Sequence, residues 1–357
     1  VSERVKTLLG IDIPILLAPM AGPGLADLAV AVSQQGGLGA LPCALLDAAR
    51  IEAEMAAFRK GTSGPINLNF FCHMPAPFDA AREAAWRHSL APYYRELGLD
   101  PAMPVAPSNR AAFDDTACVL VEKLRPEVVS FHFGLPAPAL LDRVRAAGAK
   151  ILSTATTVEE ARWLEAHGCD AIIAQGAEAG GHRGMFLSDD LSSQIGTMAL
   201  VPQVVDAVSV PVIATGGIAD GRGVAAAFAL GASAVQIGTA YLSCPEARVP
   251  PVHRAQLASA RAQDTAITNL FTGRPARGIV NRLMREQGPM RDDIPRFPLA
   301  GGSLAPLRSA GDPAGSGDFM SLWAGQAFTI RHDLPAGAFT QKLWDDALAI
   351  NPRARTI

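Results

Sequence analysis

The sequence lacks what marks secreted, nucleic-acid-binding or metal-held proteins. Its five cysteines, Cys43, Cys72, Cys118, Cys169 and Cys244, are scattered, with no C-x-x-C pair and no close Cys–His spacing. That argues against a disulfide framework and against zinc, so no metal is expected, and it fits a reducing compartment. Lysine plus arginine (31) nearly balances aspartate plus glutamate (34), and no long run has one sign. A nucleic-acid groove or a membrane-surface patch would need clustered basic residues. The opening stretch VSERVKTLLG has no signal-peptide core, and Pro14, Pro19, Gly22, Pro23 and Asp27 break the apolar segment after it. No membrane span is expected there, and the reading is a soluble, cytoplasmic protein. Aromatic residues are 6% of the chain although 49% is apolar, so the core must be built from Ala, Val, Leu and Ile. Such side chains suit parallel strands covered by helices.

What the chain does have is repetition. Short branched apolar runs occur at 14–20 (PILLAPM), 36–41 (GGLGAL), 65–71 (PINLNFF) and 128–134 (VVSFHFG). Four more follow at 150–156 (KILSTAT), 170–176 (DAIIAQG), 211–217 (PVIATGG) and 234–242 (AVQIGTAYL). Between them, segments such as LLDRVRAAGA and VEEARWLEAHG place apolar residues three or four apart and stop at glycine, the pattern of a helix and its end. Strand and helix repeated eight times predict an α/β fold, the (β/α)8 TIM barrel. An open doubly wound sheet would need a G-x-G-x-x-G turn after an early strand, which GPGLAD at 22–27 does not supply.

The predicted organisation is a barrel over 1–245 with an insert at about 72–127, a helical cap over 246–320, and C-terminal helices over 321–357 returning to the barrel. Within the cap, the Gly/Pro-rich stretch RFPLAGGSLAPLRSAGDPAGSGD reads as an extended loop with few buried residues, and FMSLWAGQAFTI as a resumed helix.

In such barrels the chemistry sits at the carboxyl ends of the strands. Those ends carry Met20, Asn69, His132, Thr154, Gln175, Gly216, Gly217, Gln236, Gly238 and Thr239, with His182 just beyond strand six. ATGGI and QIGT at the last two strands offer glycine amides and the Thr239 hydroxyl to a phosphate at the following helix N-termini, or are two ordinary glycine-rich turns. Met20 could face a flat ring system, and Asn69 and Gln175 could serve ring heteroatoms, although buried amides more often satisfy the protein itself. Together these residues describe a pocket suited to flavin mononucleotide (FMN).

PILLAPMAG, LAVAVSQQGGLGAL, NLNFF, SFHFG, QGAEAGGHRG, ATGGI, QIGTAYL and LWAGQ, in that order over nearly the whole chain, resemble the nitronate monooxygenases. The resemblance implies an FMN-containing barrel that oxidises alkyl nitronates, and in some members nitroalkanes, with dioxygen to carbonyl compounds and nitrite. It implies FMN contacts at Met20, Asn69, Gln175, Gly180, Gly217, Gln236, Gly238 and Thr239, with Gly181 and Gly216 beside them, and His182 as the catalytic histidine. A histidine titrating near neutrality is a suitable base for an acidic carbon proton. The glycines before it are expected to let the loop pass close to the flavin.

The insert after NFF and the Gly/Pro loop depart from the family pattern, which leaves the substrate open. Arg183 could attract a nitronate or be an exposed loop arginine. His73 and His132 could be second histidines at the mouth, although a lone strand-end histidine is more often a structural hydrogen-bonder, and Glu178 reads as a loop-anchoring carboxylate. An FMN-dependent enoyl-acyl-carrier-protein reductase using NAD(P)H shares most of these motifs. A flavin-free barrel lyase or isomerase would need a lysine at an inner strand end, whereas Lys150 opens strand five. Oligomeric state is not legible.

Overall fold

The computed structural model describes residues 2–104, 108, 110–261, 263–311 and 315–352. The described residues form eleven strands: β1 (Ile15–Leu17), β2 (Gly39–Pro42), β3 (Ile66–Phe71), β4 (Val128–His132), β5 (Lys150–Ala155), β6 (Ala171–Gln175), β7 (Gly181–His182), β8 (Val212–Thr215), β9 (Ala234–Ile237), β10 (Thr265–Thr268) and β11 (Ala276–Ile279). Eight form one parallel sheet in the order β1-β9-β8-β6-β5-β4-β3-β2. A parallel bridge between Leu16 and Leu38 joins its two edges and closes the barrel. These are the eight runs read from the sequence. The last is shorter than expected: after Gly238 the chain turns into a 3-10 helix, Thr239–Ser243, in place of continuing strand.

Strand alternation sorts the side chains. Leu16, Val128, Leu152, Ala171, Ile173, Ile213 and Ala234 fill the barrel with Val5, Leu9 and Ile11 of the N-terminal segment, whose helix Ser2–Leu9 packs into the same cluster. Their neighbours Ile15, Leu17, Ile151 and Ile172 belong to the cluster shared with the surrounding helices. Successive strand residues point to opposite faces, and both faces are covered, so the runs are apolar throughout. The helix Ala336–Ile350 packs between Gly221–Ala229 and Ala26–Gln34 and completes the outer ring. Gly221 makes this approach possible, because a methyl group there would lie 2.3 Å from Asp346 Cβ.

The segment 246–320 is not all helical. It holds the helices Pro251–Ser259 and Arg282–Gln287, but between them β10 and β11 pair antiparallel, and β11 pairs with β7. The Gly/Pro-rich stretch also folds, into a 3-10 turn Leu299–Gly301 and a helix Ala305–Gly311. Ala300, Leu304 and Leu307 are fully buried. They pack with Trp86, Leu90, Tyr93 and Tyr94 from the insert helix Ala80–Glu96 and with Leu270, Phe271, Leu283 and Met284, a second core separate from the barrel's. Composition concealed this, since an apolar residue every third or fourth position is enough to bury a short helix among glycines and prolines. Residues 321–330 do not resume a helix either; Trp323 bridges Gly278 of β11. The insert itself divides, with Ala80–Glu96 joining the second core and Asp115–Leu124 packing in the barrel's outer layer.

Candidate active site

A cavity of about 460 Å³ opens at the carboxyl ends of the barrel strands, within the roughly 300–1,000 Å³ common for small-molecule sites. Met20, Asn69, Gln175, Gly180, Gly181, His182, Gly216, Gly217, Gln236, Gly238 and Thr239 all line it, so the residues expected to contact the cofactor and the expected catalytic histidine meet in one place. Its other wall comes from Arg110, Pro250, His253, Arg308, Met320, Trp323 and Gly325.

The β8 and β9 end is built from backbone. Gly216 (φ 111°) and Gly217 (φ 70°) occupy conformations that side-chain-bearing residues rarely adopt. Among the described residues, the amides of Gly217 and Gly238 donate to no protein acceptor. Thr239 Oγ1 accepts the Gly325 amide at 3.0 Å and keeps its own proton to donate. The expected helix N-termini contribute less than the sequence implied. Asp220 already caps the helix after β8, accepting from the Arg222 and Gly223 amides, and only the short 3-10 helix follows β9. An anion here would be held by loop amides and a hydroxyl.

The barrel floor supplies polar side chains with capacity left over. Gln236 Oε1 is buried without a partner. Asn69 Nδ2 donates to Ser130 Oγ at 2.9 Å. Gln175 differs from the reading that gave it to a ring: its Oε1 accepts the Gly184 amide (2.8 Å) and its Nε2 donates to the His182 carbonyl (3.0 Å). It clamps the loop that carries the histidine.

Around His182 the site is made of side chains. The residue sits in β7, paired with Ala276 of β11, so the cap sheet fixes its backbone. Its Nε2 lies 2.9 Å from Thr272 Oγ1, and the Thr272 hydroxyl reaches the Arg274 carbonyl at 3.4 Å. The tautomer that satisfies both contacts has Nε2–H donating to Thr272 and the lone pair on Nδ1. Rings of Phe71, Phe133, Phe297 and Trp323 surround the imidazole at centroid distances of 5.5–6.0 Å. Burial, followed by the charges of Arg110 and neighbouring basic groups, holds its pKa well below the usual histidine range, so it is neutral at physiological pH.

The preceding glycines serve the protein's own packing. A methyl group on Gly180 would lie 2.5 Å from the Gly325 amide nitrogen, and Gly181 takes a φ of 72°. Gly180 therefore allows the loop to lie against the Ala324–Gly325 backbone, and Gly181 turns the chain into β7, while both also line the cavity.

Other sequence readings resolve here. Arg183 is fully buried: Nε donates to Gln194 Oε1, and the two Nη groups donate to the Gly176 and Gln175 carbonyls, each at 2.8 Å. It is neither an exposed loop arginine nor a substrate group. Glu178 accepts from the Thr197 amide and hydroxyl and anchors the loop, as read. His132 donates Nε2–H to the His182 carbonyl (3.1 Å) and meets Thr154 Oγ1 through Nδ1, so it supports His182 from below. His73 packs edge-on against Phe297, with Nδ1 buried and unpartnered. Lys150 is exposed at the opening end of β5, away from the cavity. Arg110, Thr272, Phe297 and the position of Trp323 were not legible, because Arg110 joins the site through the insert's bridge to β3, Thr272 and Phe297 through the cap's fold and Trp323 through its bridge to β11, and none stands in a local pattern around a strand end.

A closed parallel barrel with such a cavity at its strand ends, roofed by a second core, defines a TIM-barrel enzyme. The comparisons make this specific. The family model "Nitronate monooxygenase" matches residues 2–346, and the chain belongs to that family. It is 40% identical to the nitronate monooxygenase of Pseudomonas aeruginosa over 97% of this chain and 99% of that one. With the nitronate monooxygenase of Paraburkholderia phytofirmans it shares 40% identity over 94% of this chain and 92% of that one. Among solved structures, nitroalkane oxidase from Streptomyces ansochromogenes matches with a TM-score of 0.88 and 38% identity, covering 99% of both chains. FabK from Thermotoga maritima matches with a TM-score of 0.74 and 28% identity, over 99% of this chain and 98% of that one. The protein is accordingly an oxidoreductase acting on nitronates or nitroalkanes, and its family implies a flavin cofactor.

Proposed function

We propose that the cavity holds FMN and that the enzyme uses it to convert alkyl nitronates and dioxygen to carbonyl compounds and nitrite, neutral nitroalkanes also serving where His182 first removes the carbon proton. The residues present fit the group. Gly216, Gly217, Gly238 and Thr239 would hold its phosphate, and Met20, Asn69 and Gln236 its ring system, with the orphaned Gln236 oxygen supplying an acceptor that the protein leaves unused. When bound, the flavin supplies the electron-accepting and oxygen-reactive centre.

The observation that carries the reading is His182, a neutral imidazole on the cavity wall, locked by Thr272 through one nitrogen while Nδ1 has no protein partner among the described residues. That atom can take a proton from an acidic C–H, or donate one to a nitronate oxygen once protonated. The aromatic rings around it exclude water, which keeps the transferred proton from exchanging with bulk solvent. The second core, 80–96 with 265–311, serves as the fixed roof that makes this exclusion possible.

The test is direct. Purified protein should be yellow, release FMN and not FAD on denaturation, and form nitrite from ethylnitronate in air but not under argon. A colourless protein that takes up no added FMN overturns the cofactor assignment. Rapid flavin reduction by NADH or NADPH with no nitrite from any nitronate would instead identify a reductase.

A further inference from the structure

Among the described residues, Arg110, Arg248 and Arg308 line the cavity and no aspartate or glutamate does. Arg248 is paired with Asp27 at 2.9 Å. Arg110 is different: among the described residues its guanidinium has no ion pair and no hydrogen bond. It also approaches a second cation, since a methyl group built on Gly301 would lie 3.7 Å from Arg110 Nη1 and 4.0 Å from Arg308 Nη2. A half-buried guanidinium kept beside a like charge and without a carboxylate costs stability unless a ligand supplies the anion.

Its position is set by the barrel. Two residues on, Ala112 bridges Phe71 at the end of β3, and the Phe113 amide donates to the Phe71 carbonyl at 2.7 Å. The insert is thereby stitched to the strand end, which brings Arg110 into the lining of the cavity that Phe71 and His182 also line. Its charge is felt at His182, whose protonation it opposes.

We propose that Arg110 binds the nitronate group of the substrate, its guanidinium donating to the two nitronate oxygens while His182 attends to the carbon. This rests on the reading of the enzyme as a nitronate oxidase and adds the residue that selects the anion. A guanidinium fork matches a planar pair of oxygens as it matches a carboxylate. Its two consequences differ by substrate. Preformed nitronate is charged before any chemistry, so Arg110 acts on its binding. A neutral nitroalkane gains the charge only as its proton leaves, so Arg110 acts on the rate of that step.

The experiment compares wild type, Arg110→Met and Arg110→Lys with ethylnitronate and nitroethane, measuring flavin content alongside. A lost hydrogen bond to a charged group corresponds to about 10- to 100-fold. Arg110→Met should raise KM for ethylnitronate by about that factor and leave KM for nitroethane nearly unchanged while lowering its kcat. Arg110→Lys, which keeps the charge without the fork, should fall between. Inhibition by nitrate, a planar oxyanion, should weaken in parallel with the ethylnitronate KM. An unchanged KM for ethylnitronate, an equal rise for both substrates, or loss of flavin from a folded Arg110→Met would each overturn the proposal; the last would mean the arginine serves the cofactor. Failure of wild type to release nitrite from either substrate would instead defeat the underlying reading.

Discussion

The two ends of the cavity are made of different material. At β8 and β9 the surface is backbone: glycines with positive φ, unshared amides and one hydroxyl on adjacent strand ends. Around His182 it is side chains, delivered by separate segments of the chain: Phe71 and Arg110 from β3 and the insert and Trp323 from the segment after the cap line the cavity, and Thr272 and Phe297 from the cap pack against the imidazole. A backbone cradle needs only glycine at the right strand end, and the fold repeats strand ends at regular intervals. A side-chain site needs a second core to carry its parts. Under the proposed function the first end would take the constant ligand, the cofactor, and the second the variable one, the substrate.

Substitutions at the two ends should separate cofactor binding from turnover, and the largest separation is expected at His182. His182→Asn keeps a polar group of similar reach, so flavin content should stay at the wild-type level. Oxidation of nitroethane should fall by about 10²–10⁴-fold, the usual loss on removing a general base. Preformed ethylnitronate needs no deprotonation and should lose less. Steady-state nitrite release from both substrates checks this, and a mutant oxidising nitroethane at the wild-type rate would leave His182 with a structural role only.

The second prediction asks whether the cap end has a core of its own. Trp86 is fully buried, and its Nε1 donates to the Ala300 carbonyl at 3.1 Å. Trp86→Ala should therefore cost about 3–5 kcal/mol, the range for removing a large aromatic from a packed interior. A urea titration should show it, with a cap transition preceding the barrel's if the two cores unfold separately. A loss below ~1 kcal/mol would mean that 299–311 is only draped over the barrel.

The same contrast explains how much could be read in advance. The eight strands were legible because each is a short branched run buried on both faces, and the strand-end glycines followed from them. QGAEAGGHRG placed His182 at the mouth, but the reason for its glycines was not visible, since it depends on the Ala324–Gly325 backbone far along the chain. Gln175 and Arg183 stood in the same motif with side chains that bind the loop to itself, and nothing local distinguishes an amide facing a ligand from one facing a carbonyl. Leu304 and Leu307 were hidden by the glycines and prolines around them. Arg110 lies in a Pro-rich insert with no period at all, and only the bridge to Phe71 brings it to the cavity.

Acid should destabilise the cap end first. Burial lowers the pKa of His73 to about 4, of His132 to about 3 and of His253 to about 4. In the unfolded chain each titrates near ~6.5, so below that pH the unfolded state binds protons that the folded state refuses. The associated stability is fully present above pH ~6.5 and is lost as pH falls towards 4, at up to ~1.4 kcal/mol per pH unit for each histidine. Denaturation midpoints at pH 7.5 and 5.0 measure it, and equal midpoints would contradict the burial of these rings. His182 is depressed in the same direction by burial and neighbouring cations, so the acid limb of kcat/KM for nitroethane should lie well below the usual histidine range.

The smallest effect belongs to Thr272, and it tests how the histidine is held. Thr272 is buried, and it meets the imidazole through the 2.9 Å contact with His182 Nε2. Thr272→Val keeps the shape and deletes the hydroxyl, which leaves Nε2–H without an acceptor and the Arg274 carbonyl without that donor. A neutral hydrogen bond is worth about 0.5–1.5 kcal/mol net, which corresponds to roughly 2- to 10-fold in rate if all of it acts on the orientation and tautomer of the base. That loss should appear in kcat for nitroethane and hardly at all for ethylnitronate, and Thr272→Ser should recover most of it by restoring the hydroxyl. The pH profile separates orientation from simple packing. With Nε2 untied, the ring can carry its proton on either nitrogen, and the fraction presenting a lone pair at Nδ1 falls at every pH, so the profile should drop without moving its acid limb. A kcat loss of the same size for both substrates, unrelieved by serine, would show that Thr272 only fills space beside β11.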